Sequence, residues 1–217
     1  MSTQGLARLV DNLLDMSRLQ AGALPTTART VGVDDIVART LDSIGPDSDL
    51  IAVSLPPDLP EISADTGLLE RVLVNLLENA LHHSPADTPP LITASQHLDR
   101  LEIRIIDRGA GLPKEDREQV FQPFQRLGDT SNTTGVGLGL ALARGFTEAM
   151  EGTLTPEDTP GGGLTMVVSL PLAPEGASRS TSARADAAMA DAALADAVHA
   201  QMHPAGTPPE QTETVGG

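Results

Sequence analysis

The segment DTGLLERVLVNLLENALHH (residues 65–83) carries the strongest helical pattern in the chain, and it decides the fold. Its apolar positions recur at spacings of three and four residues, which predicts an amphipathic helix with one face in a core. These positions are Leu69, Val72, Leu73, Leu76, Leu77 and Ala80. Asn75 and Asn79, followed by His82 and His83, fall on one stripe beside that face because residues four apart are neighbours on a helix.

Two carboxamide oxygens on one helical stripe suit a magnesium ion. Mg²⁺ prefers oxygen ligands, keeps several waters and takes further oxygens from the phosphates of a substrate. Asn75 and Asn79 are therefore candidate metal ligands, although on the helix alone hydrogen bonds to neighbouring loops are the more ordinary use of both. Glu78 lies one position off the stripe, where it can act as a base, orient a neighbour or remain a solvated carboxylate.

The sequence around this helix alternates between helix and strand patterns. Helical patterns surround residues 36–44 and 137–150, and strand patterns cover residues 50–55, 91–96, 101–106 and 163–170. Such alternation is typical of an α/β domain, which we place at residues 28–173. Leu142, Phe146 and Met150 are the expected buried positions of the second long helix.

Two glycine segments lie at the ends of these predicted elements. In IIDRGAGLP, Asp107 ends a strand and can accept from the exocyclic amine of adenine, while Gly109 and Gly111 let a purine approach the backbone. In TTGVGLGLALARG, glycines 135, 137 and 139 precede a helix whose unpaired amides can bind phosphate. Each segment alone is a weak signal, because strand-end turns and close helix packing also require glycine.

The order of four segments resembles the N, G1, F and G2 boxes of sensor histidine kinases. They are NLLENALHH (75–83), DRGAG (107–111), FQPF (121–124) and GVGLGL (135–140). The resemblance implies the fold of the histidine kinase, gyrase and Hsp90 ATPases, a two-layer α/β sandwich that binds ATP and Mg²⁺. It also implies catalytic roles for Asn75, Glu78 and Asn79. The implied ATP-binding residues are Asn79, His82, His83, Asp107, Gly109, Gly111, Lys114, Phe124, Arg126, Gly135, Val136, Gly137, Leu138, Gly139 and Leu140.

The resemblance gives the aromatic and basic residues of the middle segment a role. Phe121 and Phe124 are two of only 3 Phe in a chain without Trp or Tyr, and they are expected to hinge a lid over the nucleotide. Lys114, Arg117 and Arg126 are candidate phosphate contacts, and the sequence does not choose between them. His82 stands where relatives commonly carry Lys or Arg, and His83 stands where many carry Tyr. The fixed positive charge near the phosphates is therefore reduced.

The N-terminal segment LARLVDNLLDMSRLQAG has an apolar seam at Leu6, Leu9, Leu13 and Met16. It resembles the second helix of the dimerisation and phosphoacceptor hairpin of these kinases, and we assign residues 1–24 to that helix. The first helix of the hairpin is expected to be missing, because no histidine of the chain lies in a phosphoacceptor motif. The resemblance implies a histidine-bearing helix, a response regulator and a second copy of the full-length protein as partners.

Composition excludes other classes. The formal net charge is -16 and Lys114 is the single lysine, which argues against nucleic-acid binding. Cysteine is absent, which excludes disulfides, and no apolar run has the length of a membrane span. We expect a cytoplasmic chain, whereas the resemblance implies a full-length parent in the bacterial inner membrane. Residues 174–217 are rich in Ala, Ser, Thr, Pro and Gly, and we expect a disordered tail.

Finer resemblance points to one branch of the kinases. FQPFQRLGD, GVGLGLALARGFTEAMEGTL and PGGGLTMVVSLP are similar to the branch that senses potassium and turgor. The leading hypothesis is a histidine kinase catalytic domain acting in potassium signalling, and the alternative is a nucleotide-gated binding module without activity of its own. An anti-sigma-type serine kinase fits less well, because the N-terminal helix and FQPF favour histidine kinases. A chaperone or mismatch-repair ATPase fits worse, because residue 75 is Asn where those enzymes have a catalytic Glu.

Overall fold

The computed structural model describes residues 3–125 and 137–174. The candidate residues Arg126, Gly135 and Val136 and the tail from residue 175 onward lie outside the described residues. Within the described ranges the helices are α1 (Thr3–Gln20), α2 (Val33–Ile44), α3 (Thr66–His83) and α4 (Gly139–Ala149). The strands are β1 (Arg29–Val31), β2 (Ala52–Ser54), β3 (Ile62–Ala64), β4 (Leu91–His97), β5 (Arg100–Ile106), β6 (Thr153–Asp158) and β7 (Leu164–Pro171). Short 3-10 turns occupy Gly45–Leu50, Lys114–Asp116 and Gln119–Phe121.

Five strands form the main sheet in the order β2-β4-β5-β7-β6. The β2–β4 pair is parallel, and the other three pairs are antiparallel. Strands β1 and β3 form a separate antiparallel pair. Side chains of β5 alternate between the two faces, so that Leu101, Ile103 and Ile105 are buried while Glu102 and Arg104 lie on the other face.

Helix α3 packs against both α2 and α4, and the three helices cover the buried face of the sheet. All six apolar positions predicted on the central helix are buried, as are Leu142, Phe146 and Met150 of the α4 region. The predicted two-layer α/β sandwich is therefore confirmed. The sequence patterns did not predict β1, β3 or β6, which are short or carry charges and proline.

The central helix begins and ends where its sequence dictates. The Oδ1 atom of Asp65 accepts hydrogen bonds from the backbone N–H groups of Gly67 and Leu68, both at 3.1 Å, and caps the first turn. Ser84 follows the last turn in an extended conformation, and Pro85 cannot continue the helix. These two signals fix the ends of α3 and therefore the positions of Asn75 and Asn79 along the helix.

Helix α1 docks on the α3–α4 pair. Leu19 lies so close to Gly145 that a Cβ there would approach Leu19 Cδ1 to 2.7 Å. Asp15 is 5% exposed, forms an ion pair with Arg71 of α3 and lies 3.6 Å from Arg18. Leu13 is 43% exposed and Met16 packs on the core, so part of the predicted seam faces the domain.

Replacement of Asp15 by Asn is expected to lower the free energy of unfolding by about 1–2 kcal/mol. The change removes the charge of the buried partner of a partly buried pair, and the cost stays moderate because the Arg71 side chain is 41% exposed to water. Urea denaturation measures the difference. Asp11→Asn, at an exposed position on the same helix, is the matched control. Equal effects of the two substitutions would contradict a role for the Asp15–Arg71 pair in docking α1.

Candidate functional site

One of the paired asparagines, Asn75, faces the start of α4. Asn75 and Asn79 are half-buried on α3, and Asn75 Oδ1 lies 3.4 Å from the position that a Cβ on Gly139 would occupy. In the described part of the chain, neither carboxamide makes a side-chain hydrogen bond. The first residue of α4 therefore lies beside one carboxamide oxygen, that of Asn75, which remains available to a ligand. Glu78 is exposed, one position away.

Asp107 ends β5 in a buried position and is 4% exposed. Its Oδ1 atom accepts from the backbone N–H groups of Gly109 at 2.8 Å and Leu164 at 3.0 Å. Among the described residues, Oδ2 has no hydrogen-bond partner. The carboxylate is thus fixed by one oxygen and can accept from a ligand amine with the other.

The glycine turn after Asp107 packs directly on the end of α3. A Cβ on Gly109 would approach the carbonyl oxygen of His83 to 2.5 Å, so a larger residue requires a backbone shift. Gly111 has φ of +74°, a conformation that residues with a Cβ rarely adopt. The two predicted segments, although about thirty residues apart in sequence, therefore meet at one point.

Replacement of Gly109 by Ala is expected to lower the free energy of unfolding by about 1–3 kcal/mol, because the new methyl group collides with backbone rather than with a movable side chain. Urea denaturation again provides the measurement. Gly67→Ala in α3 is the control, since a Cβ there meets its nearest neighbour at 3.5 Å, an ordinary contact. Equal stability of Gly109→Ala and the native chain would show that the turn does not press on α3.

A second glycine turn, for which the sequence patterns predicted no role, packs against Asp107. Gly161, Gly162 and Gly163 all have positive φ, and a side chain on Gly163 would clash with the backbone carbonyl of Asp107. The turn brings the start of β7 against Asp107, where the Leu164 N–H donates to its carboxylate. The signal was the run of three glycines before an apolar strand.

The FQPF segment contacts Gly137, two residues before the start of α4. Phe121 is 7% exposed within the core, whereas Phe124 is 61% exposed and has φ of +66°. The Phe124 backbone N–H donates to the carbonyl oxygen of Gly137 at 2.8 Å. Gly137 has φ of +73°, and a Cβ there would approach the Gln125 carbonyl oxygen to 2.7 Å. Leu138, which follows, is buried, and Leu140 is half-buried.

The basic candidates differ in their surroundings. Arg117 forms an ion pair with Asp158 of β6, so its charge is already compensated. Lys114 is exposed on the 3-10 turn Lys114–Asp116. His82 and His83 are exposed at the end of α3, with ring centroids 4.9 Å apart in an edge-to-face arrangement. Lys114 and the two histidines therefore have solvent-facing groups that a bound anion can reach.

A separate cavity of about 590 Å³ lies between α1, the following linker and α4. Its lining includes Leu19, Phe121 and Arg144 but not Asn75, Asn79, Asp107, Gly137 or Gly139. The described helices include none with the length and apolar character that a bilayer span requires.

The converging segments present a carboxylate acceptor for an amine, a glycine-lined helix start for an anion and a pair of carboxamide oxygens. This set, on a mixed sheet covered by helices, defines the class of protein. Residues 64–174 match the family described as "Histidine kinase-, DNA gyrase B-, and HSP90-like ATPase", and the chain belongs to that family.

Among individual proteins, the chain is similar to sensor proteins named KdpD. It is 54% identical to KdpD of Rathayibacter rathayi over 77% of this chain and 20% of that protein. It is 39% identical to KdpD of Escherichia coli K12 over 77% of this chain and 19% of that protein. The chain thus spans about a fifth of the length of these curated relatives.

Solved structures give the same class. Full-length ShkA, crystallised in complex with AMPPNP, superimposes with a TM-score of 0.67 at 28% identity, over 78% of this chain and 36% of that chain. The predicted family is confirmed by this likeness and by the family match.

Proposed function

We propose that the chain is the magnesium-dependent, ATP-binding catalytic domain of a sensor histidine kinase. The observation that carries the proposal is the convergence of its separate segments. Asn75 faces Gly139, His83 touches Gly109, and Phe124 is hydrogen-bonded to Gly137. A packing role alone would not require a fixed carboxylate and two carboxamides to remain available in the same place.

The two ends of the pocket suit the two ends of ATP. Asp107 can accept from the exocyclic amine of adenine through Oδ2, because Oδ1 is occupied by two backbone donors. The start of α4 offers backbone N–H groups without helical partners, because the first turn of a helix has none, and no side chain caps this end at Leu138. Lys114 would supply positive charge at the phosphate end, where His82 and His83 would offer imidazole contacts, and Arg126 remains a contact predicted from the sequence.

The asparagines fit a magnesium ion. Both carboxamides are half-buried on one stripe of α3, have no hydrogen-bond partner in the described part of the chain and, at Asn75, face the phosphate end. Asn79 would hold the ion together with Asn75, and phosphate oxygens and water would supply its other ligands. The ion supplies neutralisation of phosphate charge.

The proposed reaction moves the γ-phosphoryl group to a histidine on a helical hairpin. A lone pair of the imidazole nitrogen forms a bond to the γ-phosphorus, the bond from that phosphorus to the β–γ bridging oxygen breaks, and ADP leaves. The chain contributes position and charge stabilisation. We assign Glu78 as the group that orients the incoming imidazole or accepts its proton, because it projects beside Asn79 at the exposed edge of the stripe.

The wider setting follows the relatives. We propose that the domain works in potassium signalling, as the KdpD likeness suggests, within a membrane-anchored homodimer that passes the phosphoryl group to an aspartate of a KdpE-like response regulator. Residues 1–24 would belong to the dimerisation hairpin, residues 28–173 to the catalytic domain and residues 174–217 to a disordered tail. The supporting observation is identity to two KdpD proteins over more than three quarters of the chain.

Labelled phosphate transfer tests the function. The chain is incubated with γ-labelled ATP, Mg²⁺ and a separately prepared phosphoacceptor hairpin from a relative. Acid-labile, alkali-stable label on the hairpin is expected, and a hairpin with its target histidine replaced by Gln is the control. ATP binding without label on the native hairpin would instead support a nucleotide-gated binding module. This second candidate is favoured by one observation, that no histidine of the chain stands in a phosphoacceptor motif.

A further inference from the structure

Arg144 of α4 links three groups of the molecule at once. Its Nη1 atom donates to Glu118 Oε2 at 2.9 Å, and its Nε atom donates to Glu148 Oε1 at 3.0 Å. Its guanidinium lies 4.9 Å from the centroid of the Phe121 ring. The hydrogen bond to Glu118, followed by that to Glu148, raises the pKa of Arg144 above its ordinary value. Arg144 therefore holds the 3-10 turn Gln119–Phe121 against α4.

The 3-10 turn Gln119–Phe121, held by Arg144, leads directly to Gly137 before α4. The backbone N–H of Gln122 donates to the Gln119 carbonyl oxygen at 2.9 Å and closes the turn. Two residues later, the backbone N–H of Phe124 donates to the Gly137 carbonyl oxygen at 2.8 Å. Gly137 has no space for a side chain, because Gln125 lies against it. The packing of Phe121 against α4 thus determines where the backbone of Gly137 can lie.

Gly137 is two residues from Gly139, which faces Asn75. The contacts from Arg144 to Phe121, from Phe124 to Gly137 and from Gly139 to Asn75 form a continuous chain. The buried Phe121 ring at its centre gives it a rigid anchor. No part of this chain touches Asp107, which is held by Gly109 and Leu164 at the other end of the pocket.

We propose that Arg144 is a positioning residue for the phosphate end of the pocket, acting through Phe121 and the Phe124–Gly137 hydrogen bond. The proposal rests on the proposed function, since it assigns phosphate binding to the start of α4. Loss of Arg144 frees the turn and moves the Gly137 backbone relative to Asn75. Because small misplacements strongly reduce productive binding, the phosphates lose affinity while adenine keeps its site.

Calorimetric titration with two probes, adenosine and Mg-AMPPNP, tests the proposal. Arg144→Ala is expected to weaken Mg-AMPPNP by about tenfold or more and adenosine by less than about twofold. Arg104→Ala is the matched control, because Arg104 is similarly exposed and also bonds two glutamates, Glu102 and Glu157, on the open face of the sheet. Unchanged Mg-AMPPNP affinity, or equal losses for both probes, would overturn the proposal. Failure of the native chain to bind Mg-AMPPNP would instead overturn the proposed function.

Two further variants cover the case in which Arg144→Ala fails to fold. Arg144→Lys keeps the charge but cannot bridge two carboxylates and lie flat on a ring, so an intermediate loss of Mg-AMPPNP affinity is expected. Phe121→Leu removes the ring, and its combination with Arg144→Lys should lose less than the product of the two separate fold-changes. Fully multiplicative losses would show that Arg144 does not act through Phe121.

Discussion

Asp107→Asn is expected to weaken ATP binding by about 100-fold or more. The Asp107 Oδ1 atom accepts from the N–H groups of Gly109 and Leu164, so an Asn must place its carbonyl oxygen there. Its amide NH₂ group then points into the pocket, towards the exocyclic amine of adenine. Two donors face each other, and a hydrogen bond to a charged acceptor is replaced by repulsion.

The same reasoning predicts a change of base preference. Inosine triphosphate carries a carbonyl group where ATP carries the amine, and it can accept from the new NH₂ group. Its affinity should therefore fall less than that of ATP, and titration of both nucleotides measures the ratio. Asp99→Asn, at the exposed turn between β4 and β5, is the control. Equal losses for ATP and inosine triphosphate would show that Asp107 does not contact the base.

Asn79→Ala is expected to abolish magnesium-dependent ATP binding without unfolding the domain. Asn79 is half-buried at the edge of the α3 core face, so truncation leaves the helix intact, and Ala favours helix. The loss should appear as an affinity for ATP that no longer differs between Mg²⁺ and EDTA. In the native chain we expect Mg²⁺ to strengthen binding by about tenfold or more.

Adenosine affinity distinguishes loss of the metal ligand from general damage to the pocket. Adenosine carries no phosphate, so its affinity should be the same in Asn79→Ala and the native chain. Asn12→Ala, a half-buried asparagine on α1, is the matched control. A full magnesium effect in Asn79→Ala would remove Asn79 from the metal site.

Much of the fold follows from local sequence. The bounds of α3 were predictable because Asp65 caps its first turn and Pro85 cannot continue the helix. Its buried face was predictable because its leucines recur at helical spacing. Strand β6 was not predictable. Its segment TLTPED contains Pro156 and two acidic residues, and it becomes a strand because it pairs with β7 along its whole length at the edge of the sheet.

The candidate site likewise contains residues that the sequence could predict and contacts that it could not. Asn75, Asn79 and Asp107 were singled out as candidates because the order of their segments resembles that of the histidine kinase boxes, while their spacing alone is a weak signal. The docking of Leu19 on Gly145, the contact of Gly163 with Asp107 and the role of Arg144 depend on tertiary packing between distant segments. An amphipathic pattern such as that of α1 shows which side chains will be buried, but several partners can bury them.

The most direct test of an ATP pocket in this chain is calorimetric titration of the native protein with AMPPNP in Mg²⁺ and in EDTA, with GMPPNP as the comparison nucleotide. One saturable site is expected, weakened by about tenfold or more in EDTA and closed to GMPPNP, because Asp107 cannot accept from the guanine carbonyl. The absence of saturable AMPPNP binding, or equal affinity for the two nucleotides, would contradict the assignment of this pocket to ATP.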